Sequence, residues 1–225
     1  DILTFRVQAS DNVGISVVSV EYWFGTGVHT NTTMNGPSPY SKAIQMPAGS
    51  LLELHYLFHC NDSAGNWNIT SQKDVSVSDN DAALFGTDST PTSGTTGESV
   101  TMRTAVSDNI GVVNVTVEYW FGSGTHANAT MTLGAGTYSY TADVASGSAD
   151  DLHYIFHARD AQGNAASTTQ GTVAIGDNDK PVPGKDSSPK TGTTGEDYTF
   201  RVAFTDNIGV VNVTVEYWFG SGVHR

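Results

Sequence analysis

Three short acidic motifs recur along this 225-residue chain, and their side chains have the chemistry of a cation site. An Asp-rich linker, D-N-D, stands at Asp79 to Asp81 and again at Asp177 to Asp179. D-N-x-G begins at Asp11, Asp108 and Asp206, and D-x-x-G-N runs from Asp62 to Asn66 and from Asp160 to Asn164. All supply carboxylate or amide oxygens from loops. Calcium takes roughly six to eight oxygen ligands in flexible geometry, so such a set suits it better than magnesium or zinc. The same letters also read as plain turns, because Asp and Asn bond their own backbone and tolerate left-handed conformations. No D-x-D-x-D-G loop of the helix–loop–helix type is present.

The charge balance sharpens the question. Ten Lys and Arg face 23 Asp and Glu, a formal net charge of −13, so the acids need an outside cation or wide spacing. Nucleic acid is excluded as a partner, since phosphate binding calls for clustered Lys and Arg. Cys60 is the sole cysteine and its repeat counterpart is Ala158, which rules out an intramodule disulfide. It reads as a small buried side chain. No membrane-inserting stretch occurs in the segment. Abundant Gly, Ser, Thr, Asn and Asp without helix-forming runs is the composition of an all-β surface protein.

The motifs are positioned by a repeat. DNIGVVNVTVEYWFGSG occurs letter for letter from Asp108 and from Asp206, and DNVGISVVSVEYWFGTG begins at Asp11, so the starts lie 97 and 98 residues apart. LHYLFHCNDSAGN from Leu54 answers LHYIFHARDAQGN from Leu152. A unit of this length buries its own core, unlike the shorter solenoid repeats. The expected modules are 1–78, lacking its first strand, 79–176, complete, and 177–225, an N-terminal part that cannot close a core alone. By this alignment Asp1 matches Glu196 and Arg225 matches Thr30, which reads as an excerpt of a longer protein.

Within a module, Val113, Val115, Val117, Tyr119 and Phe121 alternate with Asn114, Thr116, Glu118 and Trp120, the period of a half-buried strand. The first repeat gives strands at about 2–10, 15–24, 28–34, 40–46, 54–60 and 69–77, separated by turn clusters. One more from the preceding linker makes seven. The expected fold is all-β, with tandem seven-stranded immunoglobulin-like β-sandwich modules of about 98 residues. The chain entry, the 2–3 turn and the 6–7 turn then share one end of each sandwich. One calcium per junction is expected, with Asp79, Asp81, Asp108, Asp160 and Asn164 at the first and Asp177, Asp179 and Asp206 at the second.

The pairing of D-N-x-G-V/I with D-x-x-G-N, after an Asp-rich linker containing Pro, resembles the Ig-like tandem repeats of bacterial and archaeal cell-surface proteins. The resemblance covers all three modules. It implies this fold and an extracellular location. It does not choose among stalk, surface layer, enzyme spacer and fibre subunit.

N-x-S/T sequons at Asn31, Asn68, Asn114, Asn128 and Asn212 point to N-glycosylation and, with it, to an archaeal or eukaryotic surface protein. A sixth, Asn61, abuts the turn acid Asp62. If Asn114 faces outward, so do Glu118 and Trp120, and on the sixth strand His153, Ile155 and His157 face outward too. A repeated exposed patch is expected, formed by Trp23, His55 and Leu57, by Trp120, His153 and Ile155, and in the third repeat by Trp218. The alternative is that a bulge turns the Trp into the core. Zinc shared by His55 and His59 is excluded, as four strand residues span roughly 13 Å. No nucleophile–base–acid set is recognisable, so no enzyme is expected. The function expected is a structural repeat region that self-associates into a stalk, surface layer or filament. The alternatives are a carbohydrate-binding adhesin module using exposed Trp, with surface glycans as partners, or a spacer in a large surface enzyme.

Overall fold

The computed structural model describes residues 1–225 as nineteen strands joined by turns, with no helix; thus no helix is long and apolar enough to cross a membrane. The chain forms two compact units, Asp1–Leu84 with Ser107–Val113 and Arg159–Ala166, and Phe85–Val106 with Asn114–Ala158 and Ser167–Arg225.

The first unit holds β1 (Ile2–Val7), β2 (Ile15–Phe24), β3 (Thr30–Thr33), β4 (Tyr40–Gln45), β5 (Leu54–Asp62), β6 (Trp67–Ile69) and β7 (Lys73–Val75). β1 pairs β4 in one sheet, and β3–β2–β5 form the other, with β6 and β7 both on β5. The sheets enclose Phe5, Val18, Val20, Met34, Ile44 and Leu54. Phe5 lies 4.9 Å from Tyr56 and 5.8 Å from Tyr22, ring centre to ring centre. Alternation explains the choice, because Val18, Val20, Tyr22 and Phe24 share one phase of β2. Cys60 is half-buried against this core without a disulfide. Burial, then Asp11 and Asp62, push its thiol above the ordinary range, which keeps it unreactive.

Further along come β8 (Leu84–Asp88), β9 (Ser93–Thr95), β10 (Ser99–Ser107), β11 (Val112–Phe121), β12 (Ala127–Thr130), β13 (Thr132–Gly134), β14 (Thr137–Asp143), β15 (Leu152–Asp160), β16 (Ala165–Ser167) and β17 (Gly171–Gly176). They make a four-stranded sheet, β13–β14–β10–β8, and a six-stranded one, β12–β11–β15–β17–β9 with β16 on β15. This is an immunoglobulin-like sandwich, and its core includes Val100, Met102, Val115, Val117, Leu152, Phe156 and Val173, each 2% exposed or less. The opening strand is two strands rather than one. β8 joins β10, the chain breaks at Ser89 to Thr92 around Pro91, and β9 then runs parallel to β17 in the opposite sheet. A Cβ on Gly94 would sit 2.7 Å from Val100, so glycine admits this crossing.

The expected final strand at 69–77 is likewise split, into β6 and β7, and the first ends at Val7 rather than residue 10. Val113 is 68% exposed, outside the core that its phase suggested. In the first repeat the β2–β5 register shifts at the same place, between Ile15 and Val17. Residues 177–225 carry only β18 (Val182–Pro183) and β19 (Phe204–Thr205). Val213 and Val215 there are half-exposed, whereas their equivalents Val115 and Val117 are buried. β11 is held by β12 and β15; of these, residues 177–225 include only Arg225, the counterpart of Ala127 at the start of β12, which exchanges two backbone bonds with Tyr217.

Candidate metal centre and the aromatic outer face

Each acidic motif folds locally around its carboxylate. Asp108 Oδ1 accepts from the backbone N–H of Ile110 at 2.9 Å and Gly111 at 2.7 Å, and Gly111 has φ +145°, which only glycine takes without strain. Asp160 Oδ1 accepts from three backbone N–H groups, those of Gln162, Gly163 and Asn164, at 2.7–2.9 Å. Its Oδ2 accepts from the Asn164 amide at 2.7 Å. Burial, at 2% exposure, would raise the Asp160 pKa. The bonds from Asn164, Gly163 and Gln162 outweigh it and hold the carboxyl below the usual range, hence ionised. Asp11 and Asp62 make the same two turns in the first repeat.

These turns meet the linker inside the first unit. Asp79 Oδ1 accepts from Asp81 N–H at 3.1 Å and from the Asn109 amide at 3.2 Å, and Asn164 donates to the Asp79 carbonyl at 3.1 Å. Carboxylate oxygens of Asp79, Asp108 and Asp160 all lie within 4.8 Å of one another. Asp79 Oδ2 and Asp108 Oδ2 are buried with no hydrogen-bond partner. Every ion pair in the molecule involves a histidine elsewhere, so no protein cation offsets the three charges. Three carboxylates at this spacing repel unless a proton or a cation joins them. Two orphaned carboxylate oxygens beside a third carboxylate fit a hard cation.

Of the sequence-predicted set, Asp79, Asp108 and Asp160 come together. Asp81 is exposed and outside the trio, with Oδ2 3.4 Å from the Asn109 amide. The Asn164 amide nitrogen donates to the Asp160 carboxylate and to the Asp79 carbonyl, which positions both beside the trio. In the second unit Asp177 Oδ1 accepts from Asp179 N–H, Thr96 Oγ1 and the Asn207 amide at 3.1–3.2 Å. Those bonds, that of Asp179 first, hold its carboxyl below the ordinary range against desolvation. Asp206 caps Ile208 and Gly209, and no third carboxylate joins it.

Sequence reasoning missed Asn109 and Asn207. Asn109 donates to Ala48 O at 2.7 Å, and Asn207 to Ser146 O at 2.8 Å. Each amide thus ties its turn to a backbone carbonyl 61 residues earlier and to the linker acid. The signal was the second letter of D-N-x-G, a larger donor than its turn requires.

On the outer face, Trp23 stands opposite His55 and Glu21 opposite Leu57 in the β2–β5 register. The indole points outward, as alternation expects, and is not turned into the core by a bulge. The expected exposure is nevertheless wrong for Trp23 and Trp120, each 9% exposed. The physical reason is a covering imidazole. His29 stacks on Trp23 at 3.8 Å and 5°, and His126 on Trp120 at 3.9 Å and 5°, while His55 and His153 flank the rings at 5.5 and 5.6 Å. Glu21 clamps His29 Nδ1 at 2.6 Å and His59 Nε2 at 2.7 Å; these bonds, His29 first, hold its carboxyl below the ordinary range. Glu118 does the same with His126 and His157. Trp218, with His224 at 4.2 Å and no counterpart of His55, remains 52% exposed. Leu57 and Ile155 are half-buried on this face, and all five expected sequon asparagines, Asn31, Asn68, Asn114, Asn128 and Asn212, are exposed.

No protein-family model matches the chain, and no curated protein matches it in sequence. Among solved structures it is similar to the FN1–FN3 domains of chicken CNTN1, at 11% identity and TM-score 0.38 over 88% of this chain and 78% of that one. It is similar to fibronectin(III)-like modules of Clostridium thermocellum CbhA, at 16% identity and TM-score 0.30 over 77% and 84%. It is also similar to a tetra-tandem repeat from the extending region of a large adhesion protein, at 20% identity and TM-score 0.36 over 90% of this chain and 58% of that one.

Proposed function

We propose that the chain is a structural repeat region of a secreted or cell-surface protein, in modules 1–78, 79–176 and 177–225, and that it self-associates into a stalk, surface layer or extracellular filament. The observation that carries this reading is the outer-face set of Glu, Trp and His, built twice from the same residue types with the same Trp–His stack and begun a third time at Glu216, Trp218 and His224. A face repeated at a fixed interval gives a neighbouring chain equivalent contacts, and a contact that does not close on itself generates a fibre. The half-buried Leu57 and Ile155, with His55, His153 and the edges of the covered indoles, form the contact surface, and Trp218 contributes its exposed ring. A sugar platform at Trp23 or Trp120 is disfavoured, because the stacking face of each indole is already taken by histidine.

Calcium in this reading bridges Asp79, Asp108 and Asp160, ties the linker to both turns, and draws its remaining ligands from water. The second site has Asp177 and Asp206, with Asp179 beside them. Glycans on Asn31, Asn68, Asn114, Asn128 and Asn212 cover the remaining sheet surface; the intact mass of native material checks them, and a mass equal to that of the bare chain removes them. The functional reading is tested by sedimentation and electron microscopy over a concentration series. Mass growing with concentration into regular oligomers is expected. A monomer at every concentration that binds isolated glycans would replace it with the adhesin reading.

A further inference from the structure

A second group of metal-type ligands lies away from the acidic turns, on the outer face of the first unit. β5 and β7 pair His55 directly with Asp74, and His55 Nδ1 is 2.6 Å from Asp74 Oδ1. Glu53, just before β5, brings its carboxylate within 4.8 Å of both. His59, four residues further along β5, is too far from His55 to share an ion, but Asp74 across the sheet and Glu53 before the strand are not. We propose that Glu53, His55 and Asp74 form a site for a divalent transition ion of the zinc class, with water as the fourth ligand.

The chemistry separates this group from the trio at Asp79. An imidazole nitrogen with two carboxylates is a zinc-type set, completed in four-coordinate sites by solvent, whereas calcium prefers oxygen throughout. The ion takes the place of the hydrogen bond between His55 Nδ1 and Asp74 Oδ1. Both ligands are oriented from outside. Gln72 Nε2 donates to Asp74 Oδ1 at 2.7 Å, and Trp23 packs 5.5 Å from the His55 ring. Such outer contacts fix ligand direction and raise affinity. The site opens to solvent on the Asp74 side, where the side chain is 51% exposed and that of His55 17%, so the ion exchanges freely.

The second repeat supplies a control. Asp151, His153 and Thr172 replace Glu53, His55 and Asp74, with His153 Nδ1 3.0 Å from Thr172 Oγ1 and Gln170 in the place of Gln72. A threonine hydroxyl holds the histidine without offering a carboxylate.

Zinc titration of the full chain by calorimetry, in millimolar calcium so that the acidic turns are saturated, tests the proposal. One zinc site is expected. Asp74→Thr, which copies the second repeat and so keeps the sheet, is expected to weaken it at least roughly tenfold, with an unchanged urea midpoint. Thr172→Asp is expected to add a second site of similar affinity, and it decides the matter if Asp74→Thr folds poorly. Glu21→Gln, which loosens the other His pair, is expected to leave binding intact. No zinc binding by the wild-type chain, or binding that Asp74→Thr leaves unchanged, overturns the proposal.

Discussion

Asp160→Ala is expected to lower the thermal midpoint of the full chain by roughly 10 °C, the largest effect of any single acid. The carboxylate closes its turn with three backbone N–H bonds and one from the Asn164 side chain, and it is nearly inaccessible to solvent. Alanine removes the acceptor that holds the turn closed around its backbone N–H groups, and it frees the Asn164 amide that also bonds the Asp79 carbonyl. Asp160→Asn keeps one oxygen acceptor and is expected to cost about half as much. Asp81→Ala is the control: an exposed side chain 3.4 Å from its one side-chain partner is expected to shift the midpoint by ~1 °C or less. Scanning calorimetry of the three variants checks the order. Equal midpoints for Asp160→Ala and Asp81→Ala would show that the turn does not depend on its carboxylate.

The second large effect concerns the covered indoles. Trp120→Ala removes a side chain 9% exposed from between His126 and His153, and it is expected to cost about 3 kcal/mol, at the lower end for buried Trp because the lost neighbours face solvent on their far side. His126→Ala uncovers the ring and loses the stack and the Glu118 clamp, for about 1 kcal/mol. Trp218→Ala, at a residue already half in solvent, is expected to cost ~0.5 kcal/mol or less. Urea denaturation followed by circular dichroism measures all three. A Trp120→Ala cost no greater than that of Trp218→Ala would mean that the stack contributes nothing.

Much of this was legible beforehand, for identifiable reasons. The two-residue alternation of β11 and β15 fixed which side chains face the core, and strand parity placed the linker and two turns at one end, where Asp79, Asp108 and Asp160 do meet. What alternation cannot carry is what lies over an outward side chain. His29 and His126 sit eight residues beyond Glu21 and Glu118, just before the short strands β3 and β12, whose register with β2 and β11 is set by the G-T-G and G-S-G turns, so the capping of Trp23 and Trp120 required the paired strands. The switch from β8 to β9 was hidden for a similar reason. Pro91 announces a break, but the sheet that the chain rejoins depends on Gly94 passing Val100. Asn109 and Asn207 were read as turn residues because the carbonyls they reach lie 61 residues back.

The central claim, that the clustered acids Asp79, Asp108 and Asp160 hold calcium, is tested most directly by the melting of the full chain in calcium and in chelator, beside Asp108→Asn. The amide of Asp108→Asn keeps an oxygen for the Ile110 and Gly111 N–H groups and removes the charge. With calcium about a hundredfold above its Kd, the wild-type midpoint is predicted to rise by roughly 5 °C or more over that in chelator, and most of that rise is predicted to vanish in Asp108→Asn. A wild-type midpoint identical in millimolar calcium and in chelator would contradict the account.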